Sequence, residues 1–199
     1  MRNFELVNMI EFDKKVILAS ASPRRQELIK LIFHSVEILP AECEETLPEG
    51  IGAREAVEYL SKIKNEASSE LTEKENLIVS ADTVVSIDDE ILGKPVDKED
   101  ARRMITLLSG KIHQVYTGVT LSLNGKVKTF SEKTDVEFFD LTEEEIEEYI
   151  SSSEPYDKAG AYGIQGKAGL LVKGINGDYY NVVGFPIARL KREIQEFIR

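Results

Sequence analysis

Apolar side chains recur along residues 53–69 with the period of a helix. At about 100° per residue, Ala53, Ala56, Val57, Leu60, Ile63 and Ala67 form one stripe. Short apolar runs at Val16-Ile17-Leu18-Ala19, Val36 to Leu39 and Leu77 to Ala81 predict strands, the last ending at Asp82-Thr83. Between the first two, Ser22 is a candidate N-cap and Pro23 fits the first helical position. A helix is expected from there to about Phe33, with Leu28, Leu31 and Ile32 on its apolar face. Val84 to Ile87 and Ile91-Leu92 flank Asp88-Asp89-Glu90 as a hairpin. Asp97 caps a helix that stops near Ser109-Gly110. Val115 to Leu123 and Lys126 to Phe138 alternate around Asn124-Gly125, a strong turn signal. Thr142 and Glu145 make a capping box that opens a helix to about Ile150. Residues 155–184 are glycine-rich, with strand-like pieces at 170–173 and 179–183, and Phe185 to Ile198 reads as a closing helix. Helices and strands interleave, but two hairpins interrupt a pure βαβ rhythm. The pattern predicts an α/β fold with a mixed sheet.

Residues 1–13 show no clear period and read as an extension, leaving 14–199 as a single domain. No internal repeat, low-complexity tract or linker interrupts it. The 199 residues are 42% hydrophobic and 31% charged, enough to bury a core. The net charge of −11 argues against a nonspecific nucleic-acid binder, which needs a basic face. A phosphate ligand would need a local basic pocket or a metal. The single cysteine, Cys43, excludes an intrachain disulfide framework and a cysteine-based zinc cluster. No signal-like segment opens the chain and no apolar run approaches the ~20 residues that span a bilayer. A cytoplasmic, non-membrane protein is expected.

Six places carry candidate chemistry. In Leu18-Ala19-Ser20-Ala21-Ser22-Pro23-Arg24-Arg25, a strand turns into a helix beside two hydroxyls and two guanidiniums. Helix N-termini bind anions, yet arginine there opposes the helix dipole. A bound anion would resolve that conflict; a plain cap with two solvated arginines is the alternative. Neither a Walker A run nor GxGxxG is present. Asp82 closes an apolar strand, a position suited to a general base, a metal ligand or a simple turn cap. Lys64 falls within the helical stripe, where it either snorkels outward or reaches a ligand. Lys94, in Gly93-Lys94-Pro95, is either an exposed loop lysine or a ligand contact. Seven of the 13 glycines lie between 160 and 184, around Gln165, whose amide offers the donor and acceptor needed to read a base edge. Glu42, Glu44 and Glu45 could supply a metal carboxylate or form a solvated charge run. His34 and His113 stand alone and read as structural.

Taken in order, Leu-Ala-Ser-x-Ser-Pro-Arg-Arg, Ala-Asp-Thr-Val-Val, Gly-Lys-Pro, Leu-Ser-Gly-Lys-x-His and Asp-Lys-Ala-Gly-Ala-Tyr-Gly-Ile-Gln-Gly resemble the Maf family of septum-formation-inhibitor proteins. The resemblance runs from about residue 16 to residue 190. It implies a two-lobed fold like that of inosine triphosphate pyrophosphatases, with a cleft between lobes and often a homodimer. It implies hydrolysis of a nucleoside triphosphate to monophosphate and pyrophosphate with Mg²⁺ or Mn²⁺. By position, Asp82 matches the family's catalytic base and, with Glu45, a metal site. Arg24, Thr83 and Gln165 match positions tied to substrate choice, and Lys64 and Lys94 match further cleft residues. Ser20, Ser22 and Arg25 belong to the phosphate-holding loop. The Gly-Ile-Gln-Gly form resembles the branch acting on dTTP and UTP; the branch acting on 7-methyl-GTP carries an acidic residue where Gln165 stands. Ser80 departs from a glycine common in the family, and the first 13 residues are extra. A septation-regulating binder acting through a protein partner is the rival expectation.

Overall fold

The computed structural model describes residues 9–40 and 42–199. Among these residues, seven strands form one mixed sheet in the order β2-β1-β3-β5-β6-β7, with β4 paired to β3 off this path. These are β1 (Val16–Leu18), β2 (Glu37–Ile38), β3 (Leu77–Ile87), β4 (Glu90–Leu92), β5 (Ile112–Leu123), β6 (Lys126–Phe138) and β7 (Val172–Asn176). Among the described residues, six α-helices accompany it: α1 (Pro23–Ile29), α2 (Ala53–Ser69), α3 (Lys98–Leu108), α4 (Glu143–Ile150), α5 (Tyr179–Val183) and α6 (Ile187–Phe197). The mixed α/β architecture matches the expectation from sequence. Among the described residues, no helix is long and apolar enough to cross a membrane.

Much of the local chemistry acts as the sequence implies. Asp97 accepts from the Asp100 amide at 2.8 Å, and Thr142 with Glu145 closes a reciprocal capping box. Both hairpins turn on two residues with positive φ, Asp88-Asp89 and Asn124-Gly125. Three readings need correction. First, α1 stops at Ile29 rather than near Phe33, and Leu31 is exposed. Tight turns back to Ile29 instead bury Ile32 and Phe33, and the Ile10 amide donates to the Ile32 carbonyl. The described part of the expected extension thus packs on the core through Ile10 and Phe12.

Second, residues 179–183 form a helix, not a strand. Asp178 caps it through the Tyr180 amide, and Gly184 ends it at φ 107°. A single turn is too short to show a helical period. Third, the strand expected to end at Asp82-Thr83 continues unbroken to Ile87, so Asp82 sits mid-strand. The two polar residues mark a junction between cores. Leu77, Val79 and Ala81 pack in one core with β1, α1 and α6, while Val85 and Ile87 pack in another with α3 and α4. On β5 the same junction falls at Thr117-Gly118, directly opposite Thr83 and Asp82.

Candidate active site

A cleft of about 1080 Å³ opens where the two cores meet. Its position follows from strand pairing. On one side β3 pairs with β5 along nearly its full length. On the other it pairs with β1 only through Val79 and with β4 only from Val85 onward. The intervening residues lack a neighbouring strand on that side, which leaves Asp82 beside open space. Backbone left bare there needs partners, and the Arg25 guanidinium supplies one. It donates to the Ala81 carbonyl at 2.8 Å, the Gly184 carbonyl at 2.9 Å, the Thr83 hydroxyl at 3.0 Å and the Ser20 hydroxyl at 3.3 Å. Arg25 therefore ties α1, β3 and the α5–α6 link together. Burial lowers its pKa, with Arg24 in the same direction and the Asp82 charge opposing.

Three segments meet at Asp82. From α2, the Lys64 ammonium donates to Asp82 Oδ1 at 2.5 Å. From the loop ahead of α2, Glu45 Oε2 approaches the same ammonium at 2.9 Å. Glu44 instead accepts from the Thr46 hydroxyl, so Glu45 is the acid that faces the cleft. The Lys64 and Asp82 side chains are only 19% and 13% exposed, so water screens this pair weakly. Burial alone would depress the Lys64 pKa, but the charge and hydrogen bond of Asp82, joined by Glu45, raise it. Lys64 stays an ammonium at neutral pH. It reaches the carboxylate rather than snorkelling to solvent.

The buried face of α2 explains this reach. It comprises Ala56, Val57 and Leu60, then Ser61, Asn65 and Ser68 rather than Ile63 and Ala67. Those polar residues bury because they are bonded: the Asn65 amide donates to the Ile78 and Thr120 carbonyls, and Ser61 pairs with the Thr120 hydroxyl. The helix also sits very close to β5. A Cβ at Gly118 would stand 2.3 Å from the Val57 carbonyl oxygen. Gly118 thus seats α2 at the height from which Lys64 meets Asp82. A single sequence carries no signal for that role.

The remaining expected residues line the same cleft. Thr83 is held by Arg25 and by the Thr117 hydroxyl at 2.9 Å. Ser20 is buried and receives the Ser22 amide at 3.3 Å, while Ser22 precedes α1 without a side-chain capping bond. Arg24 faces Asp157 at 3.7 Å. Lys94 and Gln165 are exposed on the cleft wall, with no hydrogen bond or ion pair among the described residues. His113 lies outside the cleft in the second core: its Nε2 meets the Tyr162 hydroxyl at 2.7 Å and its ring stands edge-on to Phe138. Burial pushes its pKa down to about 4, so it is neutral near pH 7.

The family model described as Maf-like protein matches residues 15–197. The chain belongs to the Maf family. Curated relatives named dTTP/UTP pyrophosphatase include one from Bacillus cytotoxicus, 51% identical over 184 residues, covering 92% of this chain and 96% of the relative. One from Bacillus cereus strain G9842 is 49% identical over the same span and coverage. Among solved structures, the Staphylococcus aureus Ham1 protein aligns with a TM-score of 0.56 at 15% identity, over 92% of this chain and 99% of that one. A HAM1 protein from Coxiella burnetii gives 0.55 at 12% identity with the same coverage. At such identity they show that this Maf chain shares their fold.

Asp82 and Glu45 converge on one cation, the Lys64 ammonium. Among the described residues, no group of three or more His, Cys, Asp or Glu stands ready for a metal ion. Two carboxylates suit Mg²⁺, which commonly takes one or two carboxylates and completes its shell with substrate phosphates and water. The donor set of this Maf cleft fits that cation.

Proposed function

We propose that this Maf protein is a nucleoside triphosphate pyrophosphatase acting on dTTP, UTP and related pyrimidine nucleotides, in the cytoplasm. The observation that carries the reading is the charged Asp82–Lys64–Glu45 cluster in the cleft between two cores. The half-identical relatives, named dTTP/UTP pyrophosphatase, support the same chemistry.

In this account the triphosphate lies along the cleft, with its α-phosphorus near Asp82. Asp82 orients and deprotonates the attacking water. Water adds at the α-phosphorus, the α–β bridging bond breaks, and pyrophosphate leaves with the electron pair. Lys64 holds the Asp82 carboxylate in place and offsets charge gathering at the phosphates. Arg24 and Lys94 face the polyphosphate, and Ser20 and Arg25 keep the α1 turn rigid. Gln165 meets the pyrimidine edge, which offers carbonyl acceptors and one N–H. Glu45 and Asp82 would hold a divalent cation, Mg²⁺ or Mn²⁺, which when bound neutralises phosphate charge.

A binder that regulates septation through a protein partner has no use for a cluster of this kind. The test is a panel of canonical and modified nucleoside triphosphates with Mg²⁺, with and without excess EDTA. Monophosphate and pyrophosphate from UTP and dTTP, abolished by EDTA, are expected. Absence of turnover on every nucleotide would remove the enzymatic reading.

A further inference from the structure

Lys158 combines features that the proposed reaction leaves unused. Its side chain is only 15% exposed, yet it lines the cleft. The ammonium donates to the Glu154 carbonyl at 2.6 Å and to Asp157 Oδ1 at 2.5 Å. Its stem lies on Gly163, where a Cβ would stand 2.8 Å from Lys158 Cδ. The ammonium is thereby anchored on the wall that carries Gln165. The second oxygen of Asp157 faces Arg24 on α1 at 3.7 Å. One carboxylate therefore sits between two cleft cations drawn from separate segments. Burial alone would raise the Asp157 pKa, but the Lys158 hydrogen bond and the charges of Lys158 and Arg24 hold it below the usual carboxylate range. It is an anion at neutral pH.

A triphosphate needs more cations than the floor of the cleft has free. Arg25 spends its donors on protein oxygens, and Lys64 is shared between Asp82 and Glu45. We propose that Lys158 is a further substrate-binding residue, for the pyrophosphate portion, and that Asp157 is a placeholder anion that occupies Lys158 and Arg24 until polyphosphate displaces it. Phosphate oxygens are strong charge-assisted acceptors and can satisfy both cations at once. Asp157 is 64% exposed, so its release into water is easy and its hold on the cations is modest. This inference rests on the pyrophosphatase reading.

The test is calorimetric binding of inorganic pyrophosphate with Mg²⁺, run beside UTP hydrolysis by the wild-type protein. Lys158→Met keeps the stem over Gly163 and removes the charge; its pyrophosphate Kd is expected to rise about tenfold. Asp157→Asn is expected to bind about threefold tighter. In the Lys158→Met background the gain from Asp157→Asn should shrink without vanishing, since Arg24 is then the one cation left for the placeholder to cover. Unchanged affinity in Lys158→Met, or weaker binding in Asp157→Asn, overturns the proposal. Lack of wild-type hydrolysis would instead count against the pyrophosphatase reading.

Discussion

Substituting Gly118 by alanine tests how α2 delivers Lys64. The added Cβ would stand 2.3 Å from the Val57 carbonyl oxygen and 2.8 Å from the Glu58 nitrogen. Both are backbone atoms, so no side chain can rotate away. Restoring ordinary contact near 3.4 Å requires α2 to retreat by about 1 Å. Lys64 lies two turns further along the same helix, and its 2.5 Å contact with Asp82 would open by a similar amount. A displacement of ~1 Å at a reacting group can cost roughly 10²-fold in rate. Overpacking of this kind costs ~1–3 kcal/mol, which for a chain of this size lowers Tm by roughly 2–12 °C. The assay is kcat/KM for UTP well below the lowered Tm, with circular dichroism to confirm folding. Gly174→Ala, where a Cβ meets nothing within 4 Å, is the control and should leave both quantities unchanged. A folded Gly118→Ala protein with activity within about twofold of wild type would refute the positioning argument.

The amide of Gln165 can donate to a pyrimidine carbonyl and a carboxylate cannot, so Gln165→Glu should lower kcat/KM for UTP by roughly tenfold to a hundredfold. The ratio of UTP to 7-methyl-GTP turnover measures it, and an unchanged ratio would place base selection elsewhere in the loop. His113 gives a pH signature. Its pKa of about 4 in the fold lies below the ordinary 6.5, so the unfolded chain takes up a proton first as pH falls. Stability should therefore decline between these values, by about 2 kcal/mol from about pH 7.5 to about pH 5. Urea unfolding at those two values should show a shallower decline in His113→Phe; an equal decline would exclude His113 as its source.

Legibility in the sequence varied with the physics of each element. The bounds of α2 match the expected residues 53–69, but its apolar stripe holds only through Leu60; beyond it the bonded Ser61, Asn65 and Ser68 bury in place of Ile63 and Ala67. The Asn124-Gly125 turn is equally plain, since few residues accept positive φ; the Asp88-Asp89-Glu90 hairpin is placed correctly, except that Glu90 already belongs to β4. In the sequence β3 reads as a shorter strand because Asp82-Thr83 interrupts its apolar run, and only the fold reveals that the polar pair bridges two cores. α1 reads too long because Leu31 and Ile32 continue the apolar pattern although the chain there turns toward Ile10. The motifs named the cleft residues one by one, and the structure gathers them. What no motif conveyed is how they are held: Arg25 committed to four protein oxygens, α2 lowered onto Gly118, and Asp157 seated between Lys158 and Arg24.

In the proposed reaction Asp82 drives water onto the α-phosphorus of a bound nucleoside triphosphate. Phosphorus NMR of UTP incubated with Mg²⁺ and either wild-type protein or Asp82→Asn reads both parts at once. UMP and pyrophosphate in equal amounts are expected from the wild type, and a folded Asp82→Asn protein should be slower by about 10²–10⁴-fold. UDP with free phosphate as the products, or wild-type turnover in Asp82→Asn, would contradict it.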